Sequence, residues 1–301
     1  MPRRPLAGAG LALLVLLAGC ATSAPRRSSG RTLIACASIN SWGSILAQLG
    51  GSRVTTTSLV HSPATDPHDY EPTPADARRI AMSAVFVENG AGYDSWAAKA
   101  VKADPEPGRQ VVDVAQLTGT PDGGNPHRWY SPTDVAKVAD AITAAFKRAD
   151  PADAGYFDQQ HRQFLGPGLA DYHRLITEIR ARYAGTPVGA SESVFSPLAA
   201  ALGLDLVTPA SFLKAISEGA DPSAADKARI DAQLASRSLD VYVLNSQNST
   251  PDVAEQVAAA RQAGIPVVDV SETPEPATAS FQDWQVRQLQ NLRAALAKAV
   301  R

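Results

Sequence analysis

Two stretches of this 301-residue chain place a histidine in the same local setting. The first is Asp66-Pro67-His68-Asp69-Tyr70-Glu71-Pro72-Thr73-Pro74-Ala75-Asp76. The second is Asn125-Pro126-His127-Arg128-Trp129-Tyr130-Ser131-Pro132-Thr133-Asp134. In each, a polar residue and proline precede His, an aromatic follows two residues on, and a hydroxyl residue, proline and an Asp come after. Thr73 and Ser131 suit the N-cap of a helix, Pro74 and Pro132 its first position, and Asp76 and Asp134 its third. Both histidines therefore sit on stiffened loops just ahead of a helix start. One such His alone reads as a solvated side chain. The same setting twice points to a pair of metal ligands, for which neutral imidazole is well suited.

The remaining histidines lack this setting. His61 opens the loop that holds His68 and reads as an ordinary loop His, with a place behind the ligands as the alternative, while His161 and His173 read as exposed positions on a helix. Only two cysteines occur, Cys20 and Cys36, which excludes a disulfide scaffold and a thiolate zinc site. Metal chemistry here must use His and carboxylates, and Zn²⁺ takes about four ligands. Glu192, in Gly189-Ala190-Ser191-Glu192-Ser193, and Glu272, in Asp269-Val270-Ser271-Glu272-Thr273, each follow a predicted strand. Spacing alone leaves both readable as acids near a helix start or on solvated loops. Asp269 rivals Glu272, although strand alternation points it the other way.

The elements that must carry these residues alternate. Strands are expected at Thr32–Ser38, Val54–Val60, Ala84–Val87 and Gln110–Val114, with helices at Ser41–Leu49, Pro74–Met82, Tyr93–Lys102 and Thr133–Arg148. A second set has strands at Pro187–Ala190, Leu204–Thr208, Val241–Asn245 and Pro266–Val270, and helices at Pro197–Leu202, Ala224–Ser236, Pro251–Ala263 and Phe281–Val300. Strands separated by helices argue for parallel sheets covered on both faces. The expected fold class is α/β, with two parallel-sheet lobes. A helical connector over 152–184 joins them, and Gly166-Pro167-Gly168 should kink or break it, since an internal proline costs about 3 kcal/mol. The lobes span 32–151 and 185–301. In open α/β sheets, loops at the carboxyl ends of strands are where ligands bind.

The first residues read as an address. Arg3 and Arg4 precede a short apolar run that ends in Leu17-Ala18-Gly19-Cys20, too short to span a bilayer. This resembles the lipobox of bacterial lipoproteins, which implies a signal peptide at 1–19 and a lipid on Cys20. Residues 20–31 then form a Pro/Ser-rich tether. With 28 basic and 30 acidic side chains, a net charge of -2 and a sequence pI near 6.2, there is no basic field to attract nucleic acid. Cys36 reads as a small buried hydrophobe in the first strand.

At the two His segments, and at Asn89-Gly90-Ala91-Gly92-Tyr93-Asp94-Ser95-Trp96, Asn245-Ser246-Gln247, Ile265-Pro266-Val267-Val268 and Asp283-Trp284, the chain resembles a known family. It is similar to the metal-binding lipoproteins of bacterial zinc/manganese ABC importers, the cluster A-I type. The resemblance implies one ion in a cleft between the lobes, held by His68, His127, Glu192 and Glu272, with Asn245 beside the ligands. It also implies partners, an ABC permease and its ATPase in the cytoplasmic membrane, and a monomeric receptor on the extracytoplasmic face. The segment Thr118–Asn125 carries no His, unlike the His-rich loop of many zinc-importing members.

Two His with two carboxylates suit Zn²⁺ or Mn²⁺, and the Irving–Williams order favours zinc in vitro whichever is the cargo. The competing class is a metallohydrolase of the cell envelope, with three ligands, a bound water and the second Glu as base. The absence of His-Glu-x-x-His and of a nucleophile elbow argues for a receptor that is no enzyme.

Overall fold

The computed structural model describes residue 1 and residues 32–62, 70–248 and 250–299. The signal segment, Cys20 with its tether, and His68 lie outside the described residues. The first lobe runs β1 (Leu33–Ile39), α1 (Asn40–Gly50), β2 (Val54–Val60), α2 (Pro74–Met82), β3 (Val85–Glu88), α3 (Ser95–Ala103), β4 (Gln110–Asp113), α4 (Val114–Thr118) and α5 (Pro132–Ala149). The connector is α6 (Ala154–Gln163) and α7 (Ala170–Tyr183). The second lobe runs β5 (Pro187–Ala190), α8 (Ser196–Leu202), β6 (Asp205–Leu206), α9 (Ala210–Ser217), α10 (Ala224–Ala235), β7 (Val241–Asn245), α11 (Pro251–Gln262), β8 (Val267–Val270) and α12 (Phe281–Ala299).

The strand orders are β2-β1-β3-β4 and β6-β5-β7-β8, and every pairing is parallel. Each sheet thus reverses direction of growth between its first and third strands, which opens a crevice at their carboxyl ends. The expected α/β class and its two parallel-sheet lobes are present. One apolar core runs through both: Trp42, Val87 and Phe146 belong to the same buried cluster as Leu175 and Ile179 of the connector and Val243, Trp284 and Leu292 of the second lobe. Such a shared core resists wide opening, because interiors pack at near-crystalline density.

Between α6 and α7 the chain makes one wide turn over Phe164–Gly168, with Pro167 inside it. Proline has no N–H for the regular helical ladder, and a wider turn accommodates the loss. The helix is therefore interrupted where the Gly-Pro-Gly run predicts. Two short helices escape the sequence reading. Val114 starts α4 rather than ending a strand, because Asp113 caps it by accepting the Gln116 N–H. In α9, Phe212, Leu213 and Ile216 form an apolar stripe too short to stand out between neighbouring elements.

Glu88 ends β3 buried at 7 % exposure, facing the charges of Asp94 and Asp113. Desolvation, then those two carboxylates, push its pKa up to about 7 from 4.5. Its folded pKa lies above its unfolded one, so the native state keeps a proton that the unfolded chain releases. Metal-free protein should lose stability as pH rises from about 4.5 through about 7. Glu88→Gln should remove about 1–2 kcal/mol of that loss. Urea denaturation at pH 5 and pH 8 measures it; an equal pH dependence in both proteins would refute this account.

Candidate metal centre

His127 comes from the loop between α4 and α5. Ser131 accepts the Asp134 N–H to cap α5, and Pro132 opens that helix, so the loop's exit is fixed. Asn125 fixes the ring. Its Nδ2 donates to the Ser193 carbonyl oxygen at 2.7 Å, which leaves its Oδ1 to accept from the His127 backbone N–H and ring Nδ1, both at 3.0 Å. A proton on Nδ1 makes Nε2 the lone-pair atom, the form a metal requires. Trp129 and Tyr93 make T-shaped contacts with the ring, with centroids 5.3 and 6.0 Å away.

Two carboxylates arrive from the second lobe at strand carboxyl ends. Glu192 lies two residues past β5, fully buried, and accepts from the side-chain amides of Asn245 and Asn248 and the Ser217 hydroxyl. Glu272 lies two residues past β8, 1 % exposed. Its turn is held because the Gln247 Oε1 accepts the N–H groups of Glu272 and Thr273, at 2.7 and 2.9 Å. The first lobe reaches across to it twice: Ser41 Oγ donates to its carbonyl oxygen at 2.6 Å, and Tyr93 OH to its Oε2 at 2.8 Å.

His127, Glu192 and Glu272 each offer one ligand atom within 4.8 Å of the others. His127 Nε2 and Glu272 Oε2 are 3.6 Å apart. Two donors on one tetrahedral Zn²⁺ stand about 3.3 Å apart at bond lengths near 2.0–2.1 Å, so little movement is needed to share an ion. Electrostatics favour one as well. Burial, and then the neighbouring Glu272 charge, push the Glu192 pKa up to about 8. Two buried carboxylates this close cannot both shed their protons cheaply unless a cation joins them. A cavity of about 340 Å³ adjoins the cluster, lined in part by Tyr93, Asn125, Ser193 and Ser217. Each of these four hydrogen-bonds a member of the cluster.

Of the residues read from sequence, the structure brings together His127, Glu192, Glu272 and Asn245; His68 lies outside the described residues. The end of the His68 loop has the expected form, a capping box of Thr73 and Asp76 that starts α2. Asp269 is exposed on β8 and stands apart from the cluster, as alternation predicts. His61 bonds the Leu59 carbonyl oxygen through its ring, and among the described residues no bond joins it to the cluster. His161 pairs with Asp140 and His173 is exposed. Sequence reasoning assigns no site role to Tyr93, Asn125, Gln247 or Ser217. Tyr93, Asn125 and Gln247 stand inside the quoted motifs, whereas Ser217 sits on α9, which the sequence does not reveal.

Two parallel-sheet lobes enclosing a buried His–Glu–Glu cluster define a bilobed α/β protein with a metal-ligand set at the interface. The family model for zinc-uptake complex component A, periplasmic (ZnuA), matches residues 36–295, and the chain belongs to this family. It is 26 % identical over 164 residues to the manganese-binding lipoprotein MntA of Halalkalibacterium halodurans, covering 52 % of this chain and 53 % of that protein. It is 24 % identical over 185 residues to the high-affinity zinc uptake system protein ZnuA of Bacillus subtilis, covering 56 % of each. These matches span about half the length of those relatives. A periplasmic metal binding protein from Candidatus Liberibacter asiaticus shares the fold at TM-score 0.72 and 19 % identity, covering 88 % of this chain and 100 % of that one. The substrate-binding protein FpvC of Pseudomonas aeruginosa, solved with Mn²⁺, gives 0.71 at 19 %, covering 89 % and 99 %. Among the described residues no helix is long and apolar enough to cross a membrane.

Proposed function

We propose that this chain captures one divalent transition-metal ion, Zn²⁺ or Mn²⁺, as cargo and passes it to an ABC permease and its ATPase. The ligands are His68 and His127 from the first lobe and Glu192 and Glu272 from the second. The observation that carries this reading is the buried cluster of His127, Glu192 and Glu272, whose ligand atoms all lie within 4.8 Å of one another. Family membership supports it, as do relatives named for manganese and for zinc. The protein acts as a monomer outside the cytoplasmic membrane, held by lipid on Cys20 after removal of residues 1–19 and spaced from the bilayer by the tether to residue 31. The domains are the lobes 32–151 and 185–301 with the connector 152–184. The protein transports and does not catalyse, because four protein ligands fill the sphere that a hydrolytic zinc leaves open for water.

Titration of metal-stripped protein with Zn²⁺ and Mn²⁺ separately tests this. One ion per chain is expected, with binding weakened by at least about tenfold in His68→Ala. If neither ion binds, or if the protein hydrolyses generic esters or phosphates in a manner lost in His127→Ala, the receptor reading is wrong.

A further inference from the structure

Between the two carboxylates stands a side chain whose hydrogen bonding admits one arrangement. Asn245 ends β7, 1 % exposed, in register with Val270 of β8. Its backbone N–H donates to Ser191 Oγ at 2.9 Å, and its Oδ1 accepts the Gln247 N–H at 3.0 Å. That second bond settles the amide's orientation, because the oxygen must face the backbone donor and the NH₂ must face the cluster. The two amide hydrogens then go one to each carboxylate: Nδ2 donates to Glu192 Oε1 and, at 2.9 Å, to Glu272 Oε1. The opposite oxygen of Glu272 is the one 3.6 Å from His127 Nε2.

On the metal-capture reading above, we infer that Asn245 is a positioning residue that holds both carboxylates to one metal-facing oxygen each and so biases the site against ions of high coordination number. Bidentate binding needs both oxygens of a carboxylate turned to the ion, and here the one amide spans Oε1 of both, while the Oε2 atoms have separate donors, Asn248 and Ser217 on Glu192 and Tyr93 on Glu272. With two imidazoles, single-oxygen carboxylates make about four donors, the number Zn²⁺ prefers. Mn²⁺ favours a larger set of oxygens, about six. The selectivity is set by an amide that touches no ion.

The full-length protein and its Asn245→Ala variant, each stripped of metal, are loaded with Zn²⁺ or Mn²⁺ alone, and X-ray absorption counts the donor atoms. Competition titrations give the ratio of the two affinities. Wild type should show about four donors around Zn²⁺. Asn245→Ala should show a higher count with either ion, and its preference for Zn²⁺ over Mn²⁺ should fall by about tenfold. Asn245→Leu, similar in size and without a donor, a charge or a ligand atom, reads the same change should the alanine variant fold poorly. An unchanged donor count, or equal weakening of both ions, would show that Asn245 only supports the fold and would overturn the inference while leaving metal capture intact. Failure of the wild type to bind either ion would overturn the capture reading and this inference together.

Discussion

Alanine at position 127 should cost the protein most of its affinity for Zn²⁺ and for Mn²⁺ while leaving the fold in place. Structural zinc sites with four ligands bind with roughly 10–16 kcal/mol, so one ligand accounts for about a quarter. That share corresponds to a loss of roughly a hundred- to a thousandfold. The ring is wholly buried, its Nδ1 is committed to Asn125, and a cavity adjoins the cluster. The fold should tolerate the change, because Trp129, the neighbouring anchor, also packs on Trp42 and Tyr93. Competition with a chromophoric chelator measures the affinity, and His161→Ala is the control, since His161 lies on α6 and pairs with Asp140 instead. An affinity for both ions unchanged within a few-fold in His127→Ala would remove the cluster from the mechanism.

Much of this arrangement was legible in the residues, for identifiable reasons. Pro132 and Ser131 announce the start of α5, so the local sequence alone places the loop carrying His127. Val54–Val60, Pro187–Ala190 and Val241–Asn245 were found to the residue, because β-branched and small residues bounded by turn formers leave little choice of register. The acids were harder. A glutamate two residues past a strand looks the same whether it faces water or a metal, and only the sheet order brings Glu192 beside Glu272. Family resemblance, and not spacing, selected those two. The bonds that cross between lobes, Tyr93 to Glu272 and Asn125 to the Ser193 carbonyl, link residues far apart in the chain. No local pattern encodes them. Helix α9 leaves no such sign, because a two-turn amphipathic stripe carries too little periodicity.

The same cluster that binds the ion should destabilise the protein without it, so Glu272→Gln is expected to exchange function for stability. Burial and the Glu272 charge raise the Glu192 pKa to about 8, against 4.5 in a solvated carboxyl. A raised folded pKa means the native state holds a proton that the unfolded chain has lost, so stability falls as pH climbs from about 4.5 through about 8. Glutamine removes the like charge but leaves burial, so the variant should show a shallower decline. Its amide is of similar size, and the Tyr93 hydroxyl can accept where it formerly donated. Metal-free Glu272→Gln should exceed metal-free wild type by about 1–3 kcal/mol near pH 8.5 and by little near pH 5. Added Zn²⁺ should reverse the order. An ion bound only by the native state stabilises by about 4 kcal/mol at a thousandfold excess over Kd. Wild type receives that increment in full and the variant, lacking an anionic ligand, receives little of it. Urea denaturation in chelator and in Zn²⁺, at both pH values, gives the four comparisons for each protein. If wild type is the more stable protein in chelator at pH 8.5, the two carboxylates do not repel across the site, and the electrostatic argument for a cation between them fails.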